Sequence, residues 1–337
     1  MQLKVEHIKQ ETPDTRTFYL SDVSGNKVIY KAGQFITLVI NHHGEEIRRS
    51  YSLSSSPDED LLSVTIKRIP NGEVTRYLHT YSKPGDAWNA VEPAGRFVLP
   101  ENLQGKTLFY FAAGSGISPV YAHIKHVLKH QPLTRIILVY SNLTQQSIIF
   151  KNELNKLSER YPSQLTIINL VSDEGKRLNN LVVEKLVKQY LAQNFTEADY
   201  YLCGPFAYMR MVRLTLLYMG IDSGKIHKEN YVLETVPVIT SGVAFAPQKL
   251  LINFQNKLHD LQQGENQTIL QAALQNNLHL PYSCGAGVCA ACAVKCTRGK
   301  VTVVKNEVLT DAELSQGWVL TCTGYAVTDD VELDFGS

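Results

Sequence analysis

Over residues 1–100, apolar and polar positions alternate in short runs broken by turn residues: TRTFYLSD, QFITLVIN, IRRSYSLSS, LLSVTIKRI and FVLP. Alternation with a period of two predicts strands with one buried face, joined in an antiparallel sheet or barrel. One helical stretch, VTRYLHTYS, interrupts them. Near residue 105 the texture changes. TLFYFAAG, RIILVYSN, LTIINLVS and DYYLCG are continuously apolar, as strands covered on both faces are. Between them lie helical patterns: VYAHIKHVLKH, IIFKNELNKLSER, NLVVEKLVKQYL and FAYMRMVRLTLLYMG. Strand and helix in alternation predict parallel βαβ units and a doubly wound sheet that ends near Tyr231. LETVPVITSGVAFAPQ, 233–248, has no helical period and two prolines, and is expected to be a linker. Beyond it come a strand pair around KLLINFQNKLHDLQ, a short helix TILQAALQNN, a cysteine-rich loop, and late strands KVTVV, WVLTC and DVELDF. The expected division is an antiparallel β-barrel at 1–103, an α/β domain at 104–232, the linker at 233–248 and a small α+β domain at 249–337.

Composition narrows the class. A chain of 337 residues with 44% hydrophobic content and a net charge of +1 is a globular protein of two or three domains. Its charge excludes a nucleic-acid-coating role. The first residues, MQLKVEHIKQETPDTR, are charged and lack an apolar core, so no signal peptide is expected. The most apolar run, TLFYFAAGSGISPVY, is broken by Gly and Pro and does not read as a membrane span. The expected location is the cytoplasm. Five of the six cysteines fall between 284 and 322, which points to a metal site in a reducing compartment rather than a disulfide framework. Residues 245–337 carry six basic and nine acidic side chains, while the rest of the chain is net positive. That asymmetry suits electrostatic docking and is also within the reach of chance composition.

The cysteines carry the sharpest chemistry. In PYSCGAGVCAACAVKC, Cys284, Cys289 and Cys292 read C-x4-C-x2-C, and Cys322 follows in WVLTC. This is the plant-type [2Fe-2S] spacing. Structural zinc favours two C-x2-C knuckles, and only one is present. Gly and Ala between the ligands let backbone N–H groups approach inorganic sulfur. Cys296 is the surplus thiol and reads as a small buried strand residue. LPYSCGAGVCAACAVK and LTDAELSQGWVLTC resemble a plant-type ferredoxin domain over about ninety residues. Glu307, Asp311 and Glu313, ahead of Cys322, read either as a docking face or as an ordinary solvated helix start.

Two further constellations resemble the ferredoxin–NADP reductase superfamily. Arg49-Ser50-Tyr51-Ser52 is an R-x-Y-S, followed by Gly72-x-x-Thr75 at a probable helix start; AGQF and EPAGRFVLP flank them. The resemblance implies that Arg49 binds a flavin phosphate, Tyr51 packs on the isoalloxazine, Ser52 hydrogen-bonds near its reactive nitrogen, and Gly72 and Thr75 meet the pyrophosphate. Asn71-Gly72 stands where the family often has two glycines. His42-His43-Gly44 reads as a hairpin tip rather than a metal site. Gly114-Ser115-Gly116 with Pro119 forms G-x-G-x-x-P between strand and helix, suited to a pyrophosphate. Cys203-Gly204-Pro205 matches the family's C-G-P, which implies Cys203 beside the nicotinamide. Glu229 in HKENY corresponds to the family's E-x-F, with Tyr231 in place of Phe, and would sit near flavin and nicotinamide. Where NADPH-using relatives often read S-R-E, this chain has Ser172-Asp173-Glu174; Asp173 repels a 2′-phosphate and favours NADH. Lys176 and Arg177 lie close by and favour the opposite choice.

Flavin, nicotinamide and cluster modules in that order resemble the reductase components of multicomponent oxygenases, with the tail GWVLTCTGYAVTDDVELDF similar to phenylacetyl-CoA oxygenase reductases. The resemblance implies an NAD(P)H-dependent oxidoreductase that holds FAD and a [2Fe-2S] cluster and passes single electrons to a separate acceptor protein, an oxygenase component. It implies neither a nucleic-acid partner nor membrane insertion. The alternatives are an FMN enzyme, as in phthalate dioxygenase reductase, a reductase for a non-oxygenase acceptor, and a non-enzymatic redox sensor. The complete hydride-transfer set of Arg49, Tyr51, Ser52 and Cys203 stands against the sensor.

Overall fold

The computed structural model describes residues 1–42, 44–231 and 244–336. Most of the expected linker, 233–243, and His43 lie outside them. The chain divides into two compact units, Met1–Glu229 and Asn230–Ser337.

The first unit begins with six antiparallel strands: β1 (Gln2–Thr12), β2 (Thr15–Asp22), β3 (Phe35–His42), β4 (Glu45–Ser52), β5 (Leu62–Lys67) and, after helix α1 (Glu73–Tyr81), β6 (Ala87–Ala94). Their order is β4-β3-β6-β1-β2-β5. A bridge between Leu53 and Val64 brings the two outer strands together and closes the barrel. Leu3, Val5, Phe18, Leu20, Ile36, Leu38 and Val64 fill it and are fully buried. Two of these strands are hidden in the sequence. In β1 charged residues mask the burial of Leu3 and Val5, and β6 contains Pro93. FVLP, expected as a strand, is irregular backbone: Phe97 is buried, but its carbonyl is taken by a helix side chain and not by a ladder.

The second part of this unit is the doubly wound sheet. Strands β7 (Thr107–Ala113), β8 (Arg135–Asn142), β9 (Leu165–Val171), β10 (Asp199–Cys203) and β11 (Ile226–Glu229) alternate with α2 (Ile117–His130), α3 (Lys151–Arg160), α4 (Asn180–Leu191) and α5 (Phe206–Tyr218). All strands are parallel, in the order β11-β10-β7-β8-β9. The chain winds outward from β7 to β9 and then returns to the other side of β7. The carboxyl ends of β7 and β10 therefore flank a topological switch point, where ligands bind in sheets of this kind. The strands are apolar on both faces because each face is covered. Tyr110, Leu138 and Tyr201 lie in one core with α2, and Phe109, Val139 and Leu202 in another with α4 and α5.

The second unit holds β12 (Gln248–Phe254), β13 (Lys257–Gln263), α6 (Ile269–Gln275), β14 (Ala293–Arg298), β15 (Val301–Val303), α7 (Asp311–Ser315), β16 (Trp318–Leu320), β17 (Gly324–Ala326) and β18 (Val331–Asp334). A mixed five-stranded sheet, β13-β12-β18-β14-β16, carries α6 through Ile269, Leu270, Ala272 and Ala273, while β15 and β17 pair separately. The hairpin β12–β13 turns at Gln255 and Asn256, both with positive φ, as a two-residue turn requires. Among the described residues no helix is long and apolar enough to cross a membrane.

Candidate redox sites

In the second unit four thiols converge. Cys292 and Cys322 lie with their sulfurs 3.1 Å apart and are both buried. Cys284 reaches the same cluster. Hydrogen bonds from the Cys289 and Cys322 thiols, and from the N–H groups of Ala286 (3.3 Å) and Val288 (3.5 Å), hold its thiol far below the ordinary range. The Cys284 N–H in turn points at Cys289 Sγ, 3.4 Å away. This donor set fits a [2Fe-2S] cluster: four sulfurs converge, with backbone N–H groups aimed at Cys284 and Cys289. Gly287, with φ +74°, is confined for a second reason, since a Cβ there would lie 2.4 Å from the Lys305 carbonyl. Cys296 stays out of the cluster; it sits on β14 with its thiol 3.1 Å from the Arg298 carbonyl.

The partners of Cys322 were not singled out in the sequence. Thr321 and Thr323, both fully buried, flank it. Thr321 N–H donates to the Cys292 carbonyl at 3.1 Å, and the Thr323 hydroxyl to the Lys305 carbonyl at 2.8 Å. Thr321 ties the Cys322 segment to the loop that bears Cys284, Cys289 and Cys292, and Thr323 ties it to Lys305. Glu313 is occupied in a capping box with Thr310 at the start of α7. Its carboxylate serves the helix, which weakens the case for an acidic docking face.

In the first unit the candidate flavin residues lie on β4 and at the start of α1. Arg49 and Tyr51 are two apart on β4 and so share a face. The Arg49 guanidinium donates to the Arg48 carbonyl at 2.8 Å. Tyr51 packs against the barrel core, and burial pushes its phenol up. Ser52 closes the strand and is buried. Gly72 is the N-cap of α1 and supplies no side-chain cap; the Thr75 hydroxyl donates back to the Gly72 carbonyl at 3.1 Å. A helix start without a side-chain cap fits a phosphate.

The nicotinamide candidates meet at the switch point. Gly114–Gly116 form a tight turn between β7 and α2, held by the Tyr140 hydroxyl, which donates to the Gly114 carbonyl at 3.0 Å. Cys203 ends β10 and Gly204-Pro205 leads into α5. The two loops touch. A Cβ on Gly116 would lie 2.1 Å from the Cys203 carbonyl oxygen, and one on Gly204 2.9 Å from Ala113 Cβ. These glycines are needed for backbone to pass backbone. Cys203 pairs in register with Ala112 on one side and Glu229 on the other, so the sulfur and the carboxyl share a face. Glu229 is enclosed, and desolvation raises its pKa to about 8. Neither α2 nor α5 has a side-chain cap at its start, whereas α4, α6 and α7 are capped by Asn179, Thr268 and Thr310. Two polar groups at this edge, Ser118 Oγ and the Asn142 amide, are buried without a partner among the described residues. The uncapped helix ends and these orphaned groups fit a dinucleotide phosphate and ribose. Asp173 is exposed in the turn after β9; its neighbour Glu174 binds Lys176 at 3.0 Å.

One residue missed in the sequence ties the two halves of this unit. His123 on α2 has no exposed surface. Its Nε2 lies 3.1 Å from the Ala32 carbonyl and 3.0 Å from that of Phe97, both in flavin-barrel segments, AGQF and GRFVLP. Carbonyls only accept, so Nε2 carries the proton, and Nδ1 faces the Tyr110 hydroxyl at 3.3 Å. Burial lowers its pKa to about 3, so it stays neutral.

Comparison with known proteins agrees with this geometry. Residues 2–99 match an oxidoreductase FAD-binding domain, 111–214 an oxidoreductase NAD-binding domain, and 252–327 a 2Fe-2S iron-sulfur cluster binding domain. The chain is 31% identical to one of the subunits of 1,2-phenylacetyl-CoA epoxidase from Escherichia coli, over 99% of this chain and 97% of that protein. It is also 31% identical to the ferredoxin reductase component of 3-ketosteroid-9-alpha-monooxygenase from Rhodococcus rhodochrous, over 99% and 96%. The solved phthalate dioxygenase reductase shares the fold at a TM-score of 0.62 and 24% identity, over 99% and 98% of the two chains. The chain therefore belongs to the family of oxidoreductases in which an FAD-binding domain, an NAD-binding domain and a [2Fe-2S] domain follow one another on a single polypeptide.

Proposed function

We propose that this chain draws electrons from NADH and delivers them singly to a separate oxygenase component. When bound, the flavin converts a hydride into single electrons and the cluster carries them one at a time. The working modules are 1–103, 104–232 and 249–337, joined by 233–248, and the setting is the cytoplasm. Arg49 and the N–H groups after Gly72 hold flavin phosphate, with Thr75 at the pyrophosphate. Tyr51 packs on the ring and Ser52 donates near its reactive nitrogen. Gly114, Ser115 and Gly116 receive the nicotinamide dinucleotide's phosphates together with Gly204 and Pro205. Cys203 and Glu229 line the transfer point. Cys284, Cys289, Cys292 and Cys322 ligate iron. Asp173 disfavours a 2′-phosphate, and Lys176 is drawn to Glu174 instead, which supports NADH over NADPH. The oxygenase acceptor is inferred from the relatives, which are named as parts of epoxidase and monooxygenase systems.

The observation that carries this reading is the pairing of Cys203 with Glu229 at the switch point, beside two uncapped helix starts. Anaerobic absorbance titration of the holoprotein with NADH, then NADPH, tests it. Flavin bleaching followed by loss of the cluster bands, with NADH the better donor, is the expected result. Flavin bleaching with cluster bands that never change would remove the proposed electron path. Equal or better reduction by NADPH would remove the role given to Asp173.

A further inference from the structure

Among the described residues, Asp58, His126 and His130 bring three metal-ligating side chains together, and the redox reading uses none of them. We propose that they form a binding site for a divalent transition-metal ion of the zinc or nickel class, which bridges the flavin barrel and the nicotinamide domain. The sequence supplies the first half. His126 and His130 are four apart on α2, so their imidazoles lie side by side on one face, tilted at 45° with ring centroids 4.8 Å apart. The fold supplies the second half. Asp58 lies in the barrel loop between β4 and β5, and its Oδ1 is 3.5 Å from His130 Nε2. Bonds of about 2 Å in a tetrahedral site place ligand atoms about 3.3 Å apart, so this pair already has the required spacing. The ligating atoms of all three residues fall within 4.8 Å of one another, and rotation of the exposed His130 side chain closes the remainder.

The Asp58 carboxylate also accepts hydrogen bonds from Ser56 and Lys129. His126 Nδ1 is enclosed and has no hydrogen-bond partner. The competitor is Lys129, whose ammonium bonds Asp58. Its side chain is 61% exposed, so it returns to water readily when a dication takes its place. The loop is acidic, Asp58-Glu59-Asp60, and Glu59 is paired with Lys125. Because Asp58 belongs to the barrel and both histidines to α2, a bound ion cross-links the two halves of the first unit.

The test is equilibrium dialysis of the holoprotein against Ni2+, with nickel and iron measured together. About one Ni2+ per chain is expected at unchanged iron content, with the affinity of His130→Ala and of Asp58→Asn at least about tenfold weaker. His130 is exposed, and NADH–ferricyanide turnover should be unaltered in His130→Ala. The thermal midpoint should rise with Ni2+ in the parent and stay unmoved in that variant. No nickel bound at about 1 mM, or equal binding by parent and both variants, overturns the proposal.

Discussion

The candidate cluster site and the candidate flavin–nicotinamide site answer the same task, holding a redox group, in opposite ways. The cluster site is contained in 284–322, and its working atoms are side-chain sulfurs. The flavin–nicotinamide site draws on positions from Arg49 to Glu229, and much of its structure is backbone passing backbone, with Gly116 against Cys203 and Gly204 against Ala113. Side-chain ligands at fixed spacing can be read from a sequence. Close approach of two distant loops cannot, because it is a property of the sheet that brings them together.

That contrast can be tested, from the largest expected effect downward. Cys322→Ala should abolish the cluster, with iron content and cluster absorbance at background, while NADH–ferricyanide turnover stays within about twofold of the parent. Collapse of both activities would show that the two sites are not separable. Gly116→Ala puts a methyl 2.1 Å from a carbonyl oxygen and should cost about 2–4 kcal/mol in urea unfolding. Gly114→Ala, which meets open space but has φ +54°, should cost only about 1 kcal/mol. Equal costs would mean that the loops relax around the added methyl, since the φ of −60° at Gly116 suits any residue. His123→Leu leaves the Ala32 and Phe97 carbonyls unpaired and should cost about 2–3 kcal/mol with weaker flavin retention, read by flavin release on dilution.

Glu229 gives a pH signature. Its folded carboxyl keeps a proton up to about 8, while an unfolded one loses it near 4.5. The folded chain therefore binds the extra proton between those values, and stability falls as pH rises through that window. Glu229→Gln should flatten this part of the urea midpoint against pH, and an unchanged slope would mean that another group is responsible. The smallest effect is expected for Cys296→Ala: unchanged iron content and a stability change within about 1 kcal/mol. Loss of iron in that variant would return Cys296 to the ligand set.

Legibility followed the same division. The βαβ pattern stood out because TLFYFAAG and its fellows are covered on both faces, and NLVVEKLVKQYL marks α4 at 180–191. The plant-type cysteine spacing picked out the four thiols that the fold brings together and left Cys296 aside. β1 was obscured because its polar face carries Lys4, Glu6, His7 and Lys9, and FVLP looked like a strand because Phe97 is buried for another reason. His123 carried no signal at all. In VYAHIKHVLKH it is one histidine among several on a helix, and only the barrel packed above it explains why that one is enclosed. Thr321 and Thr323 were in view beside Cys322, but threonine next to a cysteine has no distinctive spacing to mark it.

Helix α2 has a practical consequence for anyone recombining modules between relatives. Its first turn follows the Gly114–Gly116 loop, its middle places His123 against carbonyls at residues 32 and 97, and its last turn sends Lys129 to Asp58. Fourteen residues make a rod about 21 Å long, touching the barrel along much of that length. A chimaera cut at residue 103, where the texture of the sequence changes, would pair a foreign helix with a barrel not shaped for it. The cut that respects these contacts falls after Glu229, so the first 229 residues should be exchanged as one piece.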